Sequence, residues 1–261
     1  MIRVRVASNL TMFERFRIGV LHRALPACVA IAVLAMPLVA SAQDESDPWE
    51  NMNRGTFAFN EGFDTWVLIP VANAWDFVAP EPVQTGLDNV FKNAAMVIVM
   101  GNDLLQLKPR RAIEDLGRLV TNTTVGIGGI FDVATQVGIP QNDEDFGQTL
   151  GYWGVPPGPY LVLPILGPSN PRDTFGFAVD TFSQPWAWFV PLYTSVPVAM
   201  FEYLNLRTIY LEEIDELHEA ALDYYVFQRN AYAQDRANAV NDTESVESEE
   251  AEDLYYFDEE E

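Results

Sequence analysis

Residues 82–107 read PVQTGLDNVFKNAAMVIVMGNDLLQL, and their periodicity decides the fold class. From Val83, the residues Leu87, Val90, Phe91, Ala94, Ala95 and Ile98 recur at spacings of three and four, which is the repeat of one helix face. The run is expected to continue toward Leu107 and to stop at Pro109, while Pro82 suits a first helical turn, where its missing N–H costs nothing. Working outward, Asn53 to Asp64 carries Phe57, Phe59 and Phe63 beside Asn60 and Glu61, and the next helix, Trp66 to Val78, is expected to end before Pro80 and Pro82. Downstream, Arg111 to Thr121 reads as an amphipathic helix through Ile113, Leu116, Leu119 and Val120. The Gly126, Gly128 and Gly129 cluster then frees the backbone before a short helix at Phe131 to Val137. The fold expected is mostly α-helical with Gly/Pro-rich connections.

Between Gly151 and Phe201 proline and glycine interrupt apolar residues so often that neither a long helix nor a regular central strand is expected. Yet Tyr160 to Leu166 has no charge, and neither has Thr181 to Phe201, which holds Trp186, Trp188, Phe189 and Tyr193. Such a segment either fills a soluble core or meets lipid, since aromatic residues among apolar ones suit the membrane interface. A long charged helix is expected over residues 202–239, with Leu204, Leu211, Ile214, Leu217, Ala221 and Tyr225 on one face and a solvated acidic run at Glu212 to Glu219.

The ends differ from the body. Arg3, Arg5, Arg15, Arg17 and Arg23 precede the apolar run Ala24 to Val39 and then Ala40-Ser41-Ala42, so residues 1–42 read as a cleaved signal peptide, with Met12 an alternative start. The apolar run is shorter than the roughly 20 residues of a spanning helix. Residues 43–240 form the body and 241–261 an acidic tail; Asp242 to Glu261 holds eleven acidic residues and no basic one. Removing the signal leaves ten basic against 37 acidic residues, a formal net charge of −27, which excludes nucleic acid as a partner because phosphate binding needs clustered cations.

Catalytic and metal chemistry find little support. Cys28, the only cysteine, leaves with the signal peptide, and His218 is then the only histidine, which rules out cysteine or histidine-cluster metal sites and a histidine triad. Asp143-Glu144-Asp145 reads as a solvated polar turn rather than an opposed pair of catalytic carboxylates. Gly126-Ile127-Gly128-Gly129 has neither P-loop nor dinucleotide spacing, and Ser169 and Ser183 lack a nucleophile context. No catalytic residue, metal or cofactor is assigned.

Asp47-Pro48-Trp49-Glu50-Asn51-Met52-Asn53-Arg54 followed by Phe59-Asn60 resembles the opening motif of the MlaA/VacJ family, the outer-membrane component of the maintenance-of-lipid-asymmetry system. Similar blocks continue at Pro80 to Val83, Gly86 to Asn89, Asn102 to Gln106, Arg118 with Asn122 to Thr124, and Gly126 to Ala134. Asp145 to Gly151 with Gly158-Pro159-Tyr160 and Arg172-Asp173 is the most specific block, and Phe227-Gln228-Arg229 with Tyr232 closes the series. The resemblance implies a compact ring-like body embedded chiefly in the inner leaflet of the outer membrane, around an amphiphilic passage. It also implies partnership with a trimeric porin, removal of misplaced outer-leaflet phospholipid, and transfer to a periplasmic lipid carrier without catalysis.

Several residues are candidates within that reading. Gly126, Gly128 and Gly129 form either a tight turn or a gate, and Phe131 and Phe146 either pack the body or line the passage. Asn53, Arg54, Arg118, Asn122, Arg172 and Asp173 either hold the fold together or contact a lipid headgroup. The alternative function is a structural envelope protein that binds a porin or membrane without moving lipid; a lipid-processing enzyme is a third. Many members of the family are lipoproteins, but Cys28 lies before most of the apolar run here. The mature protein is therefore expected to start at Gln43 with no acyl mass. Intact-mass measurement checks this, and an acylated Cys28 overturns it.

Overall fold

Proline sets the boundaries of the first helices. The computed structural model describes residues 47–184 and 192–242; residues 1–42, read above as a signal peptide, Trp186, Trp188, Phe189 and the tail beyond Asp242 lie outside the described residues. Helix α1, Glu50–Phe63, does not stop where expected but runs through a π-helical turn, Asp64–Leu68, into α2, Ile69–Val78. Pro70 explains the wide turn: it has no N–H to donate back along an α-helix, and its ring crowds the carbonyl four residues earlier. The ladder therefore opens by one residue, with the Ile69 N–H reaching the carbonyl of Asp64.

Helix α3, Glu81–Leu105, carries Pro82 in its first turn as anticipated. Leu107, at φ 61°, reverses the chain, and Pro109 opens α4, Pro109–Thr124, rather than merely closing α3. The short α5 is trimmed to Val133–Gln136, because Asp132 caps it by accepting from the Thr135 N–H. Asp145 likewise caps α6, Phe146–Tyr152, an element the sequence reading did not contain.

The Gly/Pro-rich middle is more regular than expected. Strands β1, Leu161–Leu163, and β2, Gly167–Ser169, form an antiparallel hairpin with Leu161 opposite Ser169 and Leu163 opposite Gly167. Proline then starts a helix instead of preventing one: Asn170 caps α7, Pro171–Ser183, and Pro171 sits in its first turn. The long helix expected over 202–239 is three helices, α8 Leu192–Ile209, α9 Leu211–Ala220 and α10 Tyr224–Asn241. Ala221 turns extended after α9, and the Asp223 carboxylate accepts from the Val226 N–H, which starts α10 afresh. The acidic run lies on α9, which buries no residue. Among the described residues no helix is long and apolar enough to cross a membrane.

What holds these helices together is polar. Among the described residues twenty polar or charged side chains are buried against eleven apolar ones, the reverse of an ordinary soluble core. Helix α4 displays the inversion most clearly: Asp115, Arg118 and Asn122 face inward while Ile113, Leu116 and Val120 face out. Its apolar stripe was legible, but it does not point at the protein. In α3 the buried Asn102 donates to Asp180 and accepts from Thr149, and Gln106, just past its end, donates to Glu144 and Thr149. Glu144, expected in a solvated turn, is instead buried between Lys108 and Arg111 at 2.8 and 2.9 Å. A small aromatic core of Tyr160, Val162 and Tyr225, packed by Phe57, Val226 and Tyr232, joins the hairpin to α1 and α10.

Two carboxyls meet in this interior. Asp103 of α3 and Asp115 of α4 have no exposed surface. Burial first, then the hydrogen bond and charge of Asp115, then the charge of Glu144, push Asp103 up to about 8, with Arg111 opposing. The unfolded carboxyl releases its proton near 4, so between about 4 and 8 the folded state binds more protons. Stability from this group accordingly falls as pH rises through that window, and the loss is complete above about 8. Replacing Asp103 with Asn, which keeps the shape of the protonated acid, should flatten this dependence. Thermal melts from pH 5 to pH 9 should show the wild-type midpoint dropping by several degrees more than that of Asp103→Asn; parallel profiles would refute the raised Asp103 pKa.

Candidate functional site

A groove of about 350 Å³ opens where α1 and the π-turn face α8, α9 and the hairpin turn. Its walls are mixed. Phe57, Phe63, Leu68, Ile165, Leu166 and Ile214 supply apolar surface, while Asn60, Glu61, Asp64, Arg207, Asp215 and His218 supply polar groups. Asn60 of α1 fixes the hairpin turn by donating to the Leu163 carbonyl at 2.9 Å and accepting from the Ile165 N–H at 2.7 Å, which holds Ile165 at φ 68°.

Arg207 is the charged centre of the groove. Its Nε and Nη2 donate to the two oxygens of Asp64 at 3.0 Å each, a bidentate pair made possible because the π-turn brings Asp64 to face α8. Nη2 also reaches Asp215 at 3.4 Å. Burial works against the Arg207 charge, but Asp64 and Asp215 outweigh it and hold the guanidinium above its usual pKa. Its Nη1 is buried with no hydrogen-bond partner. At the rim, His218 Nε2 lies 2.8 Å from Glu61 and the imidazole packs on Tyr224 at 4.5 Å.

The residues singled out from sequence sit elsewhere. Asn53, fully buried, donates to Asp47 at 2.8 Å and the Tyr160 carbonyl at 3.0 Å, and accepts from the Val162 N–H at 3.0 Å. Arg54 pairs with Glu50 and Asp223 at 2.7 and 2.9 Å and lies over the Tyr225 ring. Arg118 donates to Asp132 at 2.9 Å and the Ile139 carbonyl at 2.6 Å; Asn122 donates to Asp132 and accepts from the Ala134 N–H. Burial resists the Asp132 charge, but its bonds to Thr135 and Asn122, together with Arg118, lower its pKa to about 2. Asp173 gathers Arg172, Arg236, Asn170 and Tyr232. Although burial opposes its charge, Arg172, Arg236 and Tyr232 bring its pKa to about 2. Phe131 is exposed, and Phe146 packs on Phe175 while its N–H donates to Asp180.

None of those candidates lines the groove. The structure divides them into one shell around Asp132 and others around Asp47 and Asp173.

A family model described as "MlaA lipoprotein" matches residues 45–239. The chain belongs to the MlaA family. The intermembrane phospholipid transport system lipoprotein MlaA of Haemophilus influenzae is 33% identical over 218 residues, covering 80% of this chain and 84% of that one. The protein of that name from Escherichia coli K12 is 36% identical over 197 residues, covering 74% and 77%. A solved structure reported as "Structural basis for maintenance of bacterial outer membrane lipid asymmetry" superposes with a TM-score of 0.67 at 31% identity, covering 75% of this chain and all of that one. The MlaA match takes in every candidate above and all the groove residues.

Asp64, Arg207 and Asp215 escaped the sequence reading. One signal was available: Arg207 is the only Lys or Arg between residues 173 and 228, inside an apolar and acidic stretch where a lone cation needs a reason. His218 was noted only as the last histidine.

The glycine cluster closes the C-terminal end of α4. Gly128 and Gly129 have φ of 73° and 94°, and their N–H groups satisfy the end of α4 by donating to Thr123 and Asn122 carbonyls. A Cβ on Gly126 would lie 2.2 Å from the Phe131 carbonyl oxygen and 2.5 Å from that of Asn122, whereas a Cβ on Gly128 meets open space. Gly126→Ala should therefore cost at least about 3 kcal/mol of stability, and Gly128→Ala about 1–2 kcal/mol from its backbone angle alone. Denaturation in detergent, followed by circular dichroism, measures the difference; equal costs would refute the packing argument.

Proposed function

We propose that this chain moves phospholipid without chemical catalysis, taking misplaced lipid from the outer leaflet of the outer membrane through the Arg207 groove toward a periplasmic carrier. The observation that carries the reading is the groove itself: a buried guanidinium with an unpartnered Nη1 stands in a groove whose walls are part polar and part apolar. A phospholipid presents the matching pair of chemistries. Its phosphate is an acceptor for arginine, and each methylene kept from water is worth about 0.8 kcal/mol, so a path with both surfaces lowers the main barrier to moving a two-tailed lipid. The relatives named as phospholipid transport lipoproteins support the same substrate.

The outward apolar side chains support residence in the outer membrane. Phe77 and Trp66 are 90% and 81% exposed, and Val78, Ile113, Leu116 and Val120 are exposed as well; lipid is a solvent in which such a surface is stable. We assign the body to the inner leaflet and periplasmic side, ringing the passage, with a trimeric porin as its partner in the membrane. The acidic α9, which buries nothing, is suited to water.

Replacing Arg207 with Gln should reduce clearance of outer-leaflet phospholipid by about tenfold or more, because a charge-assisted contact is removed where lipid passes. Arg207→Lys should restore part of it. Surface phospholipid is compared in cells lacking the protein and in cells expressing each variant at equal outer-membrane abundance. An unchanged lipid distribution in cells lacking the protein, with porin association lost, would assign the scaffold role instead. Conversion of purified phospholipid to a new product would assign an enzyme.

A further inference from the structure

Helix α9 forms one side of the Arg207 groove, and it is held differently from its neighbours. Ile214, Asp215, His218 and Glu219 line the groove, spaced so that they share one face of the helix. Yet none of its ten residues is buried, whereas α8 before it buries Asn205, Arg207 and Thr208, and α10 after it buries Tyr225. Leu211 and Ile214 are half-buried and Leu217 is exposed. A helix that covers so little apolar surface belongs to the low-stability end of a fold, where segments open while the rest stays folded.

Both ends of α9 are joints. Tyr210, at φ −100° and ψ 27°, leaves helical geometry between α8 and α9. Past Ala220 the chain is extended at Ala221 and again at Asp223, with Leu222 between them fully exposed. A few residues at element ends are enough to absorb the backbone change of a hinge. Between the joints two polar ties cross the groove: His218 Nε2 lies 2.8 Å from Glu61 of α1, and Asp215 accepts from Arg207 Nη2 at 3.4 Å. The second tie is the weaker, because Arg207 makes its two 3.0 Å bonds to Asp64 and reaches Asp215 at the edge of hydrogen-bond distance. The side chains of Glu61, Asp215 and His218 are all partly exposed, and ion pairs in contact with water hold little.

The groove itself is small. A volume of about 350 Å³ lies at the lower end of the sites that enclose drug-sized molecules, and a two-chain lipid is larger, so a lipid using this path needs one wall to give way. Helix α8 is pinned by the buried Asn205, which donates to the Gln84 carbonyl at 2.9 Å and accepts from Trp75 at 3.0 Å, and α1 is pinned by Asn53. Helix α9 has no such pin. We infer that α9 is a strap across the groove, closed by the His218–Glu61 and Asp215–Arg207 ties and opened by rotation about Tyr210 and the Ala221–Asp223 joint. An acceptor group arriving at Arg207 displaces Asp215, the more weakly held of its two carboxylates, so entry of a phosphate loosens the strap from inside. The ligand favours the open form by the difference in its affinity for the two forms. This inference rests on the reading of the groove as the lipid path.

The test uses the full chain with Cys28→Ser in a non-ionic detergent, carrying nitroxide labels at Gly55→Cys on α1 and Glu216→Cys on α9. Neither residue lines the groove, and a Cβ at Gly55 meets open space. Pulsed dipolar spectroscopy gives the distribution of distances between the labels, and calorimetry follows binding separately. Monomeric dihexanoyl phosphatidylglycerol should at least double the fraction at longer distance. Asp215→Ala together with His218→Ala should give the same shift without lipid, with circular dichroism showing the helices intact. In an unlabelled chain, a reducible crosslink between Glu61→Cys and His218→Cys should weaken lipid binding about tenfold, and reduction should restore it. Lipid that binds without moving the distribution overturns the strap and leaves the groove reading standing, whereas lipid that does not bind overturns the groove reading and the coupling through Arg207 together. A distribution left unchanged by the double substitution also overturns the strap, since the two ties would not then be what holds α9.

Discussion

A polar side chain placed inside this protein is held by the partners it finds there, and much of the rest of the structure follows from that requirement. A buried amide such as that of Asn53 is costly when unpaired and specific when paired, because its two donors and its oxygen accept only one arrangement of neighbours. Here that arrangement is Asp47, the hairpin carbonyl of Tyr160 and the N–H of Val162. Three chain segments are thereby fixed beside the small aromatic core of Tyr160, Val162 and Tyr225. The same logic repeats at Asp132, which joins α4 to α5, and at Asp173, which joins α7 to α10. Apolar residues are released from the interior and occupy the outer faces of α2 and α4.

This inversion also decided what could be read beforehand. Helices announced themselves, because periodicity is the same whether the apolar stripe points in or out: α3 and α4 were legible almost residue by residue. The direction of the stripe was not legible, since Ile113, Leu116 and Val120 repeat like core positions. Breaks that depend on one side chain were missed for a different reason. Asp223 ends one helical run and begins another by capping, yet within a strongly helical, charged stretch it resembles any other acidic residue. Pro171 misleads in the opposite sense, starting a helix in a stretch where its kind was expected to prevent one.

The candidate site was legible by family and not by place. Motif residues such as Asn53, Arg118 and Asp173 build the shells that position the helices, and the groove lies between elements those shells hold. Its own charged centre, Arg207, is recognised only once the π-turn brings Asp64 opposite α8. Glu144 makes the complementary point: three acidic residues in a row looked like a solvated turn, but the middle one turns inward to Lys108 and Arg111.

The ties between the two ends of the body bear on how the protein is made. Asp47 meets Tyr225, Arg54 meets Asp223, and Lys108 meets Asp242, so partners are separated by 178, 169 and 134 positions. Contacts that close such long loops form slowly. A chain delivered N-terminus first has α1 available long before its last helix exists, with Asn53 and Asp47 lacking much of their shell and Phe57 without its Tyr224 and Tyr225 partners. The opening helix therefore stays incomplete until the end of the body has been made, and α10, the last to arrive, is the element that completes its shell.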